Sequence, residues 1–220
     1  MDGEGKARAS GGRGAGIRTP TPAHVARAEE VVRGVELASP AARIESAGVR
    51  RVVLTPDNTT VRFIARWFGA PVEGRFEAVA GAVEIPGGDV SRASVSAEIA
   101  TDSVRTGIRL RDRHLRRAVF LDAELHPVIS FRGGSVMRWP THLSLPGSLT
   151  IRGVTRTEEL RVTLSDLARR SRDEPIRLVA RATLRRSDYS VGAPVGLRRF
   201  SPLLAAIGDT VEVRIGVRLD

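Results

Sequence analysis

The chain contains no cysteine, which excludes disulfide staples and thiolate metal sites. Aromatics make up only 4% of it, with one tyrosine and two tryptophans, so any core must come from Val, Ile, Leu and Ala within the 41% hydrophobic fraction. Lysine is nearly absent: Lys6 is the sole lysine among 35 basic residues. No apolar run approaches the ~18–20 residues needed to span a bilayer. The first 22 residues lack the apolar stretch of a signal peptide. As written, the sequence predicts a cytoplasmic chain with no transmembrane segment.

What is present is strongly basic, at a formal charge of +10 over 220 residues. The first 49 residues hold 7 basic and 6 acidic side chains, so the excess belongs to the body that follows. Such a body favours anionic partners: phospholipid head groups, nucleic acid or acidic proteins. Residues 1–23 carry almost no large apolar side chain and are expected to be disordered. Residues 24–37 space Val25, Ala28, Val32 and Val35 as a short amphipathic helix would. The division expected is an extension over 1–49 and one β domain over 50–220.

From residue 50 the hydrophobic period becomes two. Val61, Phe63, Ala65 and Trp67 alternate with polar neighbours after the turn signal Pro56-Asp57-Asn58. Val79, Gly81, Val83 and Ile85 share one parity, with Phe76 on the other, and a change of parity near a glycine predicts a bulge. Val95, Ala97 and Ile99 follow, then Ile129 and Phe131 up to Gly133-Gly134. Leu143, Leu145, Gly147, Leu149 and Ile151 share a face, with Pro146 predicting an edge or a bulge. Leu160, Val162 and Leu164 come next, then Ile176, Leu178, Ala180, Ala182 and Leu184, and finally Val211, Val213, Ile215, Val217 and Leu219.

About eight one-sided strands must bury their apolar faces together, as a sandwich or a barrel. The fold expected is all-β: an antiparallel barrel of ~8 strands with one inserted helix. Ala97, Gly147, Ala180 and Ala182 on the inward face either leave a hollow or face large side chains across a packed core.

The helix falls within residues 105–131, at 108–119, where Ile108, Asp112, Leu115 and Val119 trace one stripe and would plug or flank the barrel. This stretch also holds Asp112, His114, Glu124 and His126. Residues two apart on a helix point to different faces, so no metal site is expected. Asp112 should instead pair with nearby arginines and His114 bond locally. No Gly-x-Ser-x-Gly elbow, phosphate loop or GxGxxG after a strand is present, so no catalytic residue is assigned.

The segments also resemble a known family. They are Gly74-Arg75-Phe76 with Gly81, Arg111-Asp112-Arg113-His114-Leu115, and His126-Pro127-Val128-Ile129-Ser130-Phe131. The series continues with Leu149-Thr150-Ile151-Arg152-Gly153-Val154-Thr155, Arg186-Ser187-Asp188-Tyr189 and Gly208-Asp209-Thr210-Val211. In order and spacing, over about residues 50–220, they resemble the YceI-like family of lipid-binding, lipocalin-like barrels. That resemblance implies an extended antiparallel barrel holding a polyisoprenoid chain, such as a quinone tail, without catalytic residues or a cofactor. The chain departs from the family at Asn58-Thr59-Thr60, where a His-Ser pair is usual, and at His126, where a tyrosine commonly precedes the proline. Many relatives are exported, and this chain shows no export signal.

The ligand-lining set expected is therefore Phe63, Val83, Val95, Ile99, Phe131, Leu149, Ile151, Val162, Leu178, Ala180, Ala182, Val213 and Ile215. Arg109, Arg113, Arg116, Arg117, Arg169, Arg170, Arg172, Arg185, Arg186, Arg198 and Arg199 would form either an ordinary solvated surface, its arginine content set by GC-rich coding, or a rim meeting anionic lipid. The alternative is a basic barrel binding nucleic acid through phosphates, although aromatics for base stacking are few. A homodimer is compatible with either. The apolar segment 192–208 would fold over a barrel mouth or close the barrel's end.

Overall fold

The computed structural model describes residues 48–165, 176–192 and 206–219. The extension expected over 1–49 falls almost wholly outside these residues. So do Arg169, Arg170, Arg172, Arg198, Arg199 and most of the segment 192–208.

Within them, alternating apolar and polar side chains form twelve strands. These are β1 (Val49–Leu54), β2 (Thr59–Trp67), β3 (Ala70–Phe76), β4 (Val79–Pro86), β5 (Ser94–Ala100) and β6 (Val104–Arg105), then β7 (Val128–Gly133), β8 (Met137–Arg138), β9 (Leu143–Ile151), β10 (Val154–Ser165), β11 (Ile176–Arg185) and β12 (Thr210–Leu219). All ladders are antiparallel, in the order β1-β4-β5-β7-β9-β10-β11-β12-β2-β3-β6, with β8 beside β9.

That order curls back on itself. β1 runs into β2, β3 into β4, and β5 into β6, each through a short bend. Backbone bonds tie two of these bends together, Glu77 N–H to Ser103 O at 3.2 Å and Ala100 N–H to Ala78 O at 3.1 Å. Counted as continuous runs, with the two-residue β8 beside β9 left aside, the strands number eight, and the β2–β12 ladder joins the last run to the first. The sequence expectation of ~8 strands and the larger number of segments describe one object, cut at its bends.

Asn58 shapes the first bend. Its Oδ1 accepts from Thr55 N–H at 2.9 Å, and its side-chain amide donates to Val53 O at 2.8 Å. The parity change expected between Phe76 and Val79 falls at Glu77-Ala78, where Phe76 pairs with Val104 while Val79 pairs with Ile99. Pro146 sits on no edge, for β9 is flanked by β7 and β10. The β7–β9 ladder stops at Gly133–Gly147, just short of the proline, so the missing N–H removes no ladder bond there.

The helix α1 (Arg109–Leu115) is shorter than the expected 108–119. Beyond Leu115 the carbonyls of Leu115, Arg116 and Arg117 accept from Leu121, Ala123 and Asp122, and these wider turns end the helical pattern. At the core, Phe131, Leu145 and Leu160 are buried, with Val95, Leu149, Val162, Ala180, Ala182 and Ile215 packed against them.

Candidate functional site

In an antiparallel ladder, directly opposed residues share a face. The registers therefore place the thirteen predicted lining residues on one continuous surface. Phe63 opposes Val213, which opposes Ala182. Ile215 opposes Ala180, which opposes Val162. Phe131 opposes Leu149 and Ala97, while Val95 opposes Val83 and Ile99 opposes Ile129. Ile151 and Leu178 extend the same rows. The other face carries exposed Arg62, Arg161, Arg177, Arg181, Arg214 and Glu212, so the apolar face is the inside of the curl.

Burial on that face is incomplete. Phe131 is 8% exposed, and each of the other twelve residues is half-buried. The two phenylalanines are seated on glycines. A methyl group at Gly147 would stand 2.5 Å from the Phe131 ring, and one at Gly133 would stand 2.7 Å from it. The Phe63 ring lies over Gly74 in the same way, tilted against Phe76 at a centroid distance of 5.6 Å. Of the two expectations for Gly147, a hollow or a large side chain against it, the second holds: the Phe131 ring uses the space. The glycines let both rings lie along the wall.

A concavity of 730 Å³ lies mainly on the outer face of β1, β4, β5 and β7. Arg51, Val53, Ala82, Glu84, Ser96 and Arg132 line it, and of the predicted set only Val95 touches it. Its wall includes the Arg51–Glu84 ion pair at 3.8 Å. A charged, open depression of this kind does not suit an aliphatic chain.

One end of the barrel is closed by α1, the Arg152-Gly153 hairpin turn and the 3-10 turn Arg186–Tyr189. Arg152 (φ 51°) and Gly153 (φ 74°) form the two-residue turn that a tight right-twisted hairpin requires, and glycine takes the second left-handed position without strain.

Of the polar residues singled out in the sequence, Asp112 has a structural role. Asp112 is buried, and its Oδ1 accepts from Thr106 N–H at 2.8 Å and from the Thr106 hydroxyl at 2.5 Å. Its partner is thus Thr106 rather than an arginine, because Arg111 also reaches Thr106, donating to its hydroxyl at 2.7 Å. His114 and Glu124 are exposed, and the His126 ring lies over Gly153. Among the described residues, no three His, Asp or Glu side chains gather as a metal site would need.

Arg186, expected on the surface, is only 7% exposed. Its guanidinium donates to Gly208 O at 2.8 Å, Val191 O at 2.7 Å and Ile207 O at 3.0 Å. Tyr189, 1% exposed, donates its hydroxyl to Glu158 Oε1 at 2.6 Å. Burial pushes the Tyr189 phenol well above its ordinary range, and the Glu158 carboxylate adds to the shift. This pair was not anticipated. Glu158 shares the inward parity of Leu160, and the signal available was the chain's single tyrosine.

Fold and inner face together define an antiparallel, lipocalin-like β-barrel with an aliphatic interior. The chain belongs to the YceI-like domain family, whose model matches residues 53–219. Proteins called Protein YceI from Salmonella arizonae and Salmonella newport are each 39% identical to it over 70 residues, 32% of this chain and 37% of theirs. The chain thus spans about a third of the length of the curated relatives it matches. The crystal structure of Burkholderia cenocepacia BcnA superposes with a TM-score of 0.63 at 17% identity, covering 74% of this chain and 96% of that one. A polyisoprenoid binding domain from Saccharophagus degradans gives a TM-score of 0.55 at 18% identity, covering 76% and 96%. The Campylobacter jejuni YCEI protein gives 0.55 at 21% identity, covering 68% and 84%.

Proposed function

We propose that this protein binds a long apolar ligand of the isoprenoid class, a polyisoprenoid or an isoprenoid quinone, inside the barrel, and performs no chemistry on it. The observation that carries this reading is the inner face. Twelve of its thirteen named apolar side chains remain partly open to water, while both phenylalanine rings lie along the wall on glycines. Inserting a hydrocarbon chain there would remove methylenes and wall from water together, about 0.8 kcal/mol for each buried CH₂. The structural likeness to a polyisoprenoid binding domain supports the same ligand class. The inward polar pair, Tyr189 and Glu158, joined by a 2.6 Å hydrogen bond, acts as a structural tie.

The test is native mass spectrometry of protein purified from its own host, repeated with Ala180→Phe. Ala180 stands between Val162 and Ile215 on the inner face. A carrier keeps its fold with phenylalanine there and loses a co-purifying mass of lipid size. A chain that retains no lipid, and that unfolds on Ala180→Phe, has a filled core and is no carrier.

A further inference from the structure

Helix α1 is turned inside out. Its buried side chain is the carboxylate of Asp112, 6% exposed and tied to Thr106. Its solvent face carries Leu110 at 57% exposure, preceded by Ile108 at 53%. Val119 and Leu125, at 48% and 69%, continue the pattern beyond the helix. A two-turn helix in water gains by burying leucine and exposing charge, so the reverse needs another surface to bury the leucine.

The charges interleaved with these residues indicate which surface. Arg109, Arg113 and Arg117 are exposed, and none of their guanidinium groups has a hydrogen bond or ion pair with a described residue. Between residues 108 and 125 the exposed acidic side chain is Glu124, since Asp112 and Asp122 are both buried. The β2–β3 hairpin reaches the same end of the barrel with Trp67 and Phe68, 45% and 67% exposed, their rings 5.4 Å apart. Arg66 beside them donates to Gly69 O at 3.1 Å.

We propose that this end of the barrel docks on an anionic lipid bilayer. Ile108, Leu110, Trp67 and Phe68 enter the head-group region, and Arg109, Arg113 and Arg117 meet lipid phosphates. Aliphatic side chains alternating with free guanidinium groups, and an indole at the rim, suit an interface that is greasy and negatively charged at the same depth. A nucleic acid would use the arginines and leave Leu110 and Ile108 in water. The docking surface is separate from the inner face, so it stands or falls independently of the carried ligand.

The experiment uses the full chain with vesicles of phosphatidylcholine alone or mixed with phosphatidylglycerol, read by co-flotation. Emission of Trp67 is followed in a Trp139→Phe background, which leaves a single indole. The protein should float with the anionic vesicles, release as salt rises, and shift Trp67 emission to the blue. Leu110→Ser should weaken partitioning by roughly tenfold. Arg109→Gln and Arg113→Gln should each weaken it by about fivefold. Val53→Ser, on an exposed apolar position of β1 remote from this end, should leave it unchanged. Equal binding to both vesicle types would overturn the proposal. So would arginine variants that lose RNA binding while vesicle binding holds, or Leu110→Ser dissociating a dimer that never floats. Retained lipid measured by native mass spectrometry in the same variants separates this result from the carrier reading: a chain that floats but carries nothing keeps the docking and loses the carrier.

Discussion

At the barrel end that carries α1, the loops are held by polar side chains reaching across the chain; at the opposite end, where residues 86–93 and 134–142 turn, the side-chain hydrogen bonds among the described residues are local. Arg186 ties to Ile207 and Gly208 across 21 and 22 residues, and Tyr189 to Glu158 across 31. Arg152 reaches Ala118 across 34 residues and also donates to Ser190 O. At the other end Asp89 accepts from Ser91 N–H and Oγ–H at 2.9 and 2.6 Å, two residues away. Trp139 N–H donates to His142 O at 2.9 Å, with the two rings stacked at 6.2 Å. Long ties make the first end part of the cooperative core. The two described turns at the second end can fray without the barrel opening.

The largest effect should come from Arg186→Met. It leaves the carbonyls of Val191, Ile207 and Gly208 short of a donor inside the protein, which should lower stability by about 4 kcal/mol. Urea unfolding should show it as a lower midpoint with an unchanged slope. An unaltered midpoint would mean that the two ends are equally loose.

Tyr189→Phe should cost less, about 1–2 kcal/mol at neutral pH, since Glu158 loses its donor. It should also change the response to alkali. The folded phenol holds its proton above the ordinary tyrosine range while the unfolded one releases it. The wild-type chain should therefore lose stability as pH rises past about 10, by about 1.4 kcal/mol per unit. Tyr189 is the sole tyrosine, so phenolate absorbance during alkaline unfolding reads this group alone. Tyr189→Phe should remove that tyrosine-linked slope.

Asp89→Ala should have the smallest effect. The hydrogen bonds from Ser91, side chain first and then backbone, hold this exposed carboxyl below its ordinary range. Its contribution is present once the carboxyl is ionised and fades as acid protonates it. The variant should melt slightly below the wild type at neutral pH and coincide with it in acid. A drop comparable to that of Arg186→Met would erase the contrast between the ends.

The inner face was largely legible beforehand. A period of two assigns each side chain to a face within its own strand, as the run from Val211 to Val217 illustrates. The helix was harder to read. Its stripe over Ile108, Asp112, Leu115 and Val119 predicted one inward face, and Asp112 does go inside, yet Ile108 and Val119 face water. Periodicity registers hydrophobicity; it has no access to Thr106, whose N–H and hydroxyl make the interior acceptable to a carboxylate. Arg186 was misplaced for the same reason, because its three acceptors lie on segments that only folding brings near.

The composition without cysteine, the alternation of strands and the polar outer wall were set by the sequence alone, because each follows from residues a few positions apart. The tertiary structure decided which charges are buried and which aliphatics stay in water. It also decided that Phe131 lies on Gly147 instead of crossing the interior. Those outcomes depend on which strands become neighbours, and an antiparallel ladder joins positions that no local pattern relates.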